Sequence, residues 1–531
     1  MKNKIIKAEE AAGMIQSGQT IATNGIGNIG FPDMVIDALD KRFQESSEPR
    51  DLSLVFAAGQ APFEVRALVN QLAQEGLLKR VVCGHWDSAR LLSKMAAENK
   101  LEAYNLPQGQ IAQLFRAIAA RKPGHLSRIG VQTFVDPRLE GGKINEAAQE
   151  DLVTVTEIDG KEYLFYKAFP IDVAVIRGTT ADPAGNISVE KEATPVDSLE
   201  IAMAAKACNG KVIVQVERMT SEGSINLNQV YIPGEFVDAV VINPSQKQTF
   251  IEDYNPAYTG EIRDLNPRQT YEKIKKMSSG ITAERKVEDY VIGRRAALEL
   301  QKDAILNVGL GIPELVSSIA GEEGVSDKFT LTVEAGPFGG TPVGGISFGA
   351  ALNPTRIFSQ PTIFEFINGG GLDKTFVGFA QADQEGSVNV SKLGKRFIGV
   401  GGFVDITQSA KAVVFCGTFM GGEMEMEIQD GELKIIKDGK YSKFLDQVEQ
   451  VSFSGKFARD IGQKVIFITE RAVFELTSEG LTLVEIAPGI DLEKDIVANM
   501  SFKPYISEDL KTMDPKVFAE GKLGLKEIMC S

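Results

Sequence analysis

The chain repeats itself, and that constrains its fold more than any other feature. "EEAAGMIQSGQTIAT" at 9–23 aligns with "RRAALELQKDAILNV" at 294–308; each reads as an amphipathic helix, a polar break and a short apolar strand. After a length difference of four residues, "IGFP" at 29–32 meets "LGIP" at 310–313. Farther on, "ADPAGNISV" at 181–189 matches "ADQEGSVNV" at 382–390, with Ala, Asp, Gly and Val at the same places. Matches that recur in one order imply an internal duplication. They predict domains at 1–262 and 289–531, joined by a polar, charged and partly helical linker at 263–288 that carries Pro and Gly.

Within each half, short β-branched runs such as "VVCG", "IDVAVIR", "GKVIVQVE" and "AKAVVFCG" alternate with helical segments. That pattern predicts an α/β fold class: two duplicated α/β domains with mainly parallel sheets covered by helices. Near the end, "KVIFITERAVFELTSEGLTLVEI" alternates around "TSEGL" and predicts an antiparallel hairpin.

Composition excludes several function classes. With 57 Lys+Arg against 72 Asp+Glu, the net charge is −15, a field that repels nucleic acid and anionic lipid over most of the surface. No apolar run is long enough to span a bilayer, and "MKNKIIKAEEAAGM" breaks its apolar residues with Lys and Glu. A cytoplasmic protein without nucleic-acid or membrane partners is expected. Cys83, Cys208, Cys416 and Cys530 lack metal-ligand spacing, and His85 and His125 are the only histidines, so no metal site is predicted.

The two halves differ where chemistry would sit. "LSLVFAAG" at 52–59 occupies the place of "FTLTVEAG" at 329–336, so Ala57 stands opposite Glu334. Glu334 closes a predicted strand, and ligands of open α/β sheets sit beyond the carboxyl ends of strands. Three of the next six residues, Gly336, Gly339 and Gly340, are glycines that leave room for a bulky ligand. Two further glycine loops offer backbone N–H groups that stabilise negative charge: Gly309, Leu310 and Gly311 at a strand-to-helix junction, and Gly399, Gly401 and Gly402 in "IGVGGFVDI". Lys392, Lys395 and Arg396 form a small basic cluster before the second. In the first half, Gly25, Gly27 and Gly30 satisfy GxGxxG spacing, which keeps a nucleotide-dependent oxidoreductase as an alternative.

Over essentially its whole length the sequence resembles the family I coenzyme A transferases of the single-chain acetate/propionate, short-chain acyl type. The resemblance rests on "NVGLGIP", "LTVEAGPFGG", "FEFINGGGLD", "GVGGFVDI" and "ITERAVFEL", with "NLPQG", "QTFVDPR" and "GGKIN" in the first half. Departures at Phe338, Ile367 and Asn368 bear on acyl-chain preference. The resemblance implies the family I CoA-transferase fold, a homodimer or homotetramer, acyl-CoA and short-chain carboxylates as substrates, and no permanently bound cofactor. It also implies that Glu334 is the nucleophile that carries CoA as a glutamyl thioester. A carboxylate of ordinary pKa, about 4.3, is ionised at neutral pH and needs no general base. Backbone amides of the two glycine loops are expected to meet the oxyanion. Gln108 is expected to hold the incoming carboxylate or simply to stabilise its turn. Asn368 and Gly369 are expected in the cleft wall, with Lys392, Lys395 and Arg396 near CoA phosphates. An acyl-CoA hydrolase using the same glutamate is a second alternative.

Overall fold

Seven short apolar runs in the first half become parallel strands of one sheet. The computed structural model describes residues 4–530 apart from 64, 251, 271 and 274–285. Positions 271 and 274–285 of the predicted linker therefore lie outside the described residues. The chain divides into two compact units. Unit 1 comprises Met1–Ser279, Val333–Phe366 and Lys395–Asp405; unit 2 comprises Gly280–Thr332, Ile367–Gly394 and Ile406–Ser531.

The strands of unit 1 are β1 (Thr20–Thr23), β2 (Leu52–Phe56), β3 (Leu78–Cys83), β4 (Glu102–Asn105), β5 (Val173–Arg177), β6 (Lys211–Val216) and β7 (Ala239–Ile242). They lie in the order β7-β6-β5-β1-β2-β3-β4, every neighbouring pair parallel. Every residue of β5 is buried, as expected for a central parallel strand covered on both faces. Helices α1 (Ala8–Gly13) and α2 (Asp33–Ser46) supply Ala11, Ala12, Val35, Ile36 and Leu39 to the core against β1 and β2.

Unit 2 repeats this order. Its strands β8 (Ile305–Val308), β9 (Thr330–Thr332), β10 (Lys374–Gly378), β11 (Ala412–Cys416) and β12 (Lys464–Ile468) run β12-β11-β10-β8-β9, all parallel. That is the sequence β7-β6-β5-β1-β2 again, which supports the proposed duplication. The predicted hairpin is present: β13 (Ala472–Leu476) pairs antiparallel with β12 and with β14 (Leu481–Ile486).

The compact units are not cut at the repeat boundaries, and side-chain packing explains why. Val333, Ala335, Val343, Ala350 and Leu352, all from the second repeat, share an apolar cluster with Ile26, Ile29, Ala58 and Ala193. Residues 333–366 thereby belong to unit 1.

One buried ion pair fixes the end of β5. Arg177 and Glu192 are 1% and 3% exposed at their side chains, with Nη2 and Oε2 2.6 Å apart. Arg177 Nη1 also donates to Asn28 O at 3.1 Å and Phe31 O at 3.3 Å, tying the loop before α2 to the sheet. Removing one partner leaves a buried charge alone, which costs about 3–5 kcal/mol. Arg177→Met should lower stability by that amount, and adding Glu192→Met should restore most of it. The single tryptophan, Trp86, is buried in unit 1, so its fluorescence in a urea titration reads the loss directly.

Candidate active site

Glu334 stands at the tip of a tight turn just past β9. Val333 N–H donates to Pro337 O at 2.9 Å, and Gly336 N–H donates to Val333 O at 3.0 Å. Glu334 is partly exposed, while its neighbours Val333 and Ala335 are buried in the apolar cluster. Alternate burial of this kind aims the carboxylate out of the packed layer. Gly336 adopts φ 137°, and a Cβ there would stand 2.2 Å from Phe358 O and 2.8 Å from Thr194 Oγ1. No side chain fits at that position. Thr194 Oγ1 donates to Ala335 O at 2.6 Å and holds the turn from a third side.

The counterpart in the first repeat is closed. Ala57 is buried and its carbonyl accepts from Gly84 N–H at 3.1 Å. Its neighbour Ala58 packs in the same cluster as Val333 and Ala335. Ile26 and Ile29 of the "GIGNIG" loop lie in that cluster too, and part of the loop's backbone is bonded internally. Ile26 and Ile29 exchange N–H···O bonds at 3.0 Å, and Gly27 N–H donates to Gly59 O at 2.7 Å. Of the three glycine amides in the motif, that of Gly27 is thus already in use.

Gln108 opens helix α3 (Gln108–Ala119) and is 3% exposed. Its N–H donates to Gly401 O at 2.8 Å, and its Nε2 donates to Gln360 Oε1 at 2.9 Å. A Cβ on Gly401 would lie 3.5 Å from Gln108 Oε1 and 3.7 Å from His85 Cδ2, so these three residues share one small space. Gly109 admits no side chain, because a Cβ would meet Asp405 Oδ1 at 2.4 Å and Phe364 at 2.5 Å. Asp405 accepts from Gly109 N–H at 3.0 Å and from Gln110 Nε2 at 2.6 Å, docking α3 onto the helix that begins at Phe403.

The glycine turn at 399–402 is buried, not an open strand edge. Gly401 N–H donates to Gly84 O at 2.7 Å and Val400 N–H to Asn105 Oδ1 at 3.2 Å. The amide of Gly401 is therefore in use and does not serve as an oxyanion donor in this conformation. Gly399, at φ 80°, would place a Cβ 2.8 Å from Trp86 N, so its role is close approach to 84–86. Gly402 N–H has no internal acceptor among the described residues.

In unit 2, Gly309 N–H donates to Phe376 O at 2.8 Å and Gly311 N–H to Glu314 Oε1 at 3.2 Å. Both expected donors are thus occupied, whereas Leu310 is half exposed and its N–H has no internal acceptor among the described residues. Asn368 is partly buried and Gly369 exposed, on a turn of helix at Ile367–Gly371. Lys392 is partly buried and Lys395 exposed. Arg396 departs from the expected basic cluster: its Nε and Nη2 bind Asp87 at 2.8 and 2.7 Å, a bidentate pair that turns the guanidinium to structural use.

His85, Thr194, Asp197 and Gln360, which no short motif marks, also stand around Gly401, the Glu334 turn and Gln108. Burial holds the His85 imidazole below its usual pKa, and its Nδ1 accepts from Ser88 N–H at 3.2 Å. Burial, reinforced by Glu200, pushes the Asp197 carboxyl well above the usual carboxylate range. Among the described residues no group of three or more His, Cys, Asp or Glu is placed to hold a metal, and no helix is long and apolar enough to cross a membrane.

Comparison with known proteins fits this geometry. Residues 5–243 match the family model for coenzyme A transferase. Acetate CoA-transferase YdiF of Escherichia coli K12 is 41% identical over 522 residues, covering 98% of this chain and 96% of that protein. The chain belongs to the coenzyme A transferase family. Caffeate CoA-transferase of Acetobacterium woodii is 42% identical over 534 residues, 99% of each chain. The crystal structure of the acyl-CoA transferase YdiF apoenzyme from Escherichia coli O157:H7 superposes with a TM-score of 0.90 at 39% identity, covering 98% and 97% of the two chains. A thioester complex of that transferase with CoA matches at 0.89. The fold is thus the mainly parallel α/β fold of this transferase family.

Because no Cβ fits at Gly336, Gly336→Ala should push the Glu334 turn aside. Displacing a reacting group by about 1 Å costs on the order of a hundredfold in rate. Steady-state CoA transfer by the purified variant should fall by at least that factor; near-normal turnover would show the turn to be tolerant.

Proposed function

We propose that the protein transfers CoA from a short-chain acyl-CoA, such as acetyl-CoA or propionyl-CoA, to a free short-chain carboxylate. The cycle is ping-pong and runs through a thioester on Glu334. The observation that carries this reading is a partly exposed carboxylate on a hydrogen-bonded turn that admits no side chain at Gly336, where the duplicate position has a buried alanine.

A Glu334 oxygen attacks the thioester carbonyl of the acyl-CoA; the C–S bond breaks and CoA leaves as thiolate. The resulting acyl-glutamyl anhydride is attacked at the glutamyl carbonyl by that thiolate. The acyl group then departs as carboxylate and CoA stays on Glu334 as a thioester. A second carboxylate reverses these steps and leaves as its CoA ester. Thioester is exchanged for thioester, so no ATP enters and no net oxidation occurs. Each addition makes an oxyanion that needs donors in place beforehand; removing one costs roughly 2.7–4 kcal/mol in enzymes of other families. Of the amides proposed for this role, those of Leu310 and Gly402 have no internal acceptor among the described residues and keep it.

The relative captured as a thioester complex with CoA supports covalent transfer. The relative named for acetate supports a small acid, and we take acetate as the first acceptor to try. Gln108 is proposed to hold the carboxylate, with Asn368 and Gly369 shaping the cleft and Lys392 and Lys395 meeting CoA phosphates. The active form is proposed to be a cytoplasmic homodimer or homotetramer.

Initial rates measured against acetyl-CoA at several propionate concentrations should give parallel double-reciprocal lines. Glu334→Gln should lose at least about a thousandfold in turnover, as expected when a nucleophile is removed. Intersecting lines, or a Glu334→Gln enzyme of normal activity, would contradict the covalent cycle.

A further inference from the structure

A residue that should not tolerate its backbone marks the segment linking the two halves of this site. Val196 adopts φ 52°, in the left-handed region that β-branched residues avoid. Strain of this kind persists only where surrounding contacts over-determine it. Those contacts run in two directions.

Toward Glu334, Thr194 Oγ1 donates to Ala335 O at 2.6 Å and would touch any Cβ on Gly336. Toward Gln108, Val196 O accepts from Gln360 N–H at 2.6 Å, and Gln360 Nε2 donates to Asp197 Oδ2 at 3.3 Å. Gln360 Oε1 in turn accepts from Gln108 Nε2. Thr194, Asp197, Gln360 and Gln108 are 0%, 1%, 0% and 3% exposed, so water does not compete for these bonds.

Asp197 is spared its ordinary work. It precedes helix α4 (Ser198–Ala207), yet its side chain makes no cap bond, and its Oδ1 has no hydrogen-bond partner among the described residues. An aspartate at a helix start normally accepts from the first-turn amides. Here its Oδ2 accepts from Gln360 Nε2 instead, tying the start of the helix to the Gln360 side chain.

We propose that Thr194, Asp197 and Gln360 are positioning residues, one strained segment and its partner that set both the Glu334 turn and the Gln108 amide. This rests on the CoA-transfer reading of Glu334 and Gln108. Thr194 acts on the nucleophile and Gln360 on the carboxylate, so the two arms separate in kinetics. A general packing role would not separate them.

The test uses the full-length protein and reads two quantities: the single-turnover rate of loading CoA onto Glu334 from acetyl-CoA, and the KM for acetate or propionate. Thr194→Val keeps the shape and removes the donor; loading should slow about tenfold or more, with carboxylate KM within about twofold, and Thr194→Ser should recover most of the rate. Gln360→Met should raise carboxylate KM about tenfold while loading stays within about twofold. Gln360→Asn keeps the amide but shortens its reach, and should reproduce the KM effect if Gln360→Met fails to fold. If wild type loads CoA but the variants change both quantities together, or neither, the positioning frame is wrong and the CoA-transfer reading stands. If wild type loads no CoA, both fall.

Discussion

The site depends on the contact of Gly336 with the carbonyl of Phe358. A hydrogen in place of a Cβ lets two stretches of backbone come within a distance no side chain permits. The turn that carries Glu334 is closed by its own hydrogen bonds and buried on both flanks. A group carried on such a turn has its backbone position fixed by its neighbours, and the covalent cycle proposed for Glu334 would gain from that placement.

Duplication explains where the turn is found. Both repeats place the same strand order around the same kind of strand end, and both strand ends pack in one apolar cluster of unit 1. In the first repeat the position is Ala57, with its carbonyl bonded to Gly84. In the second it is Glu334. Ile26 and Ile29 of the "GIGNIG" loop pack in the same cluster, and Gly25, Gly27 and Gly30 take the positive φ values its turns require.

The elements that sequence reading captured are those set by local periodicity. Strand order could be anticipated as parallel from continuous apolar runs such as "IDVAVIR", and the closing hairpin from alternation around "TSEGL". Glu334 stands out in the sequence because its twin, Ala57, is blank, and the structure sets the two positions in different surroundings. Gly401 was misjudged as a donor because its acceptor, Gly84 O, lies far away in the chain. Arg396 was expected near CoA phosphates for the same reason: its partner, Asp87, is distant in the chain. Thr194, Asp197 and Gln360 carry no motif at all; their meaning comes from long-range bonds that only the folded chain shows.

The most direct measurement is peptide mass mapping after incubating the enzyme with acetyl-CoA and reducing any thioester with borohydride. Covalent transfer predicts reduction of one side chain, at Glu334, and only when the acyl-CoA is present. An enzyme that turns over while Glu334 stays unmodified would contradict it.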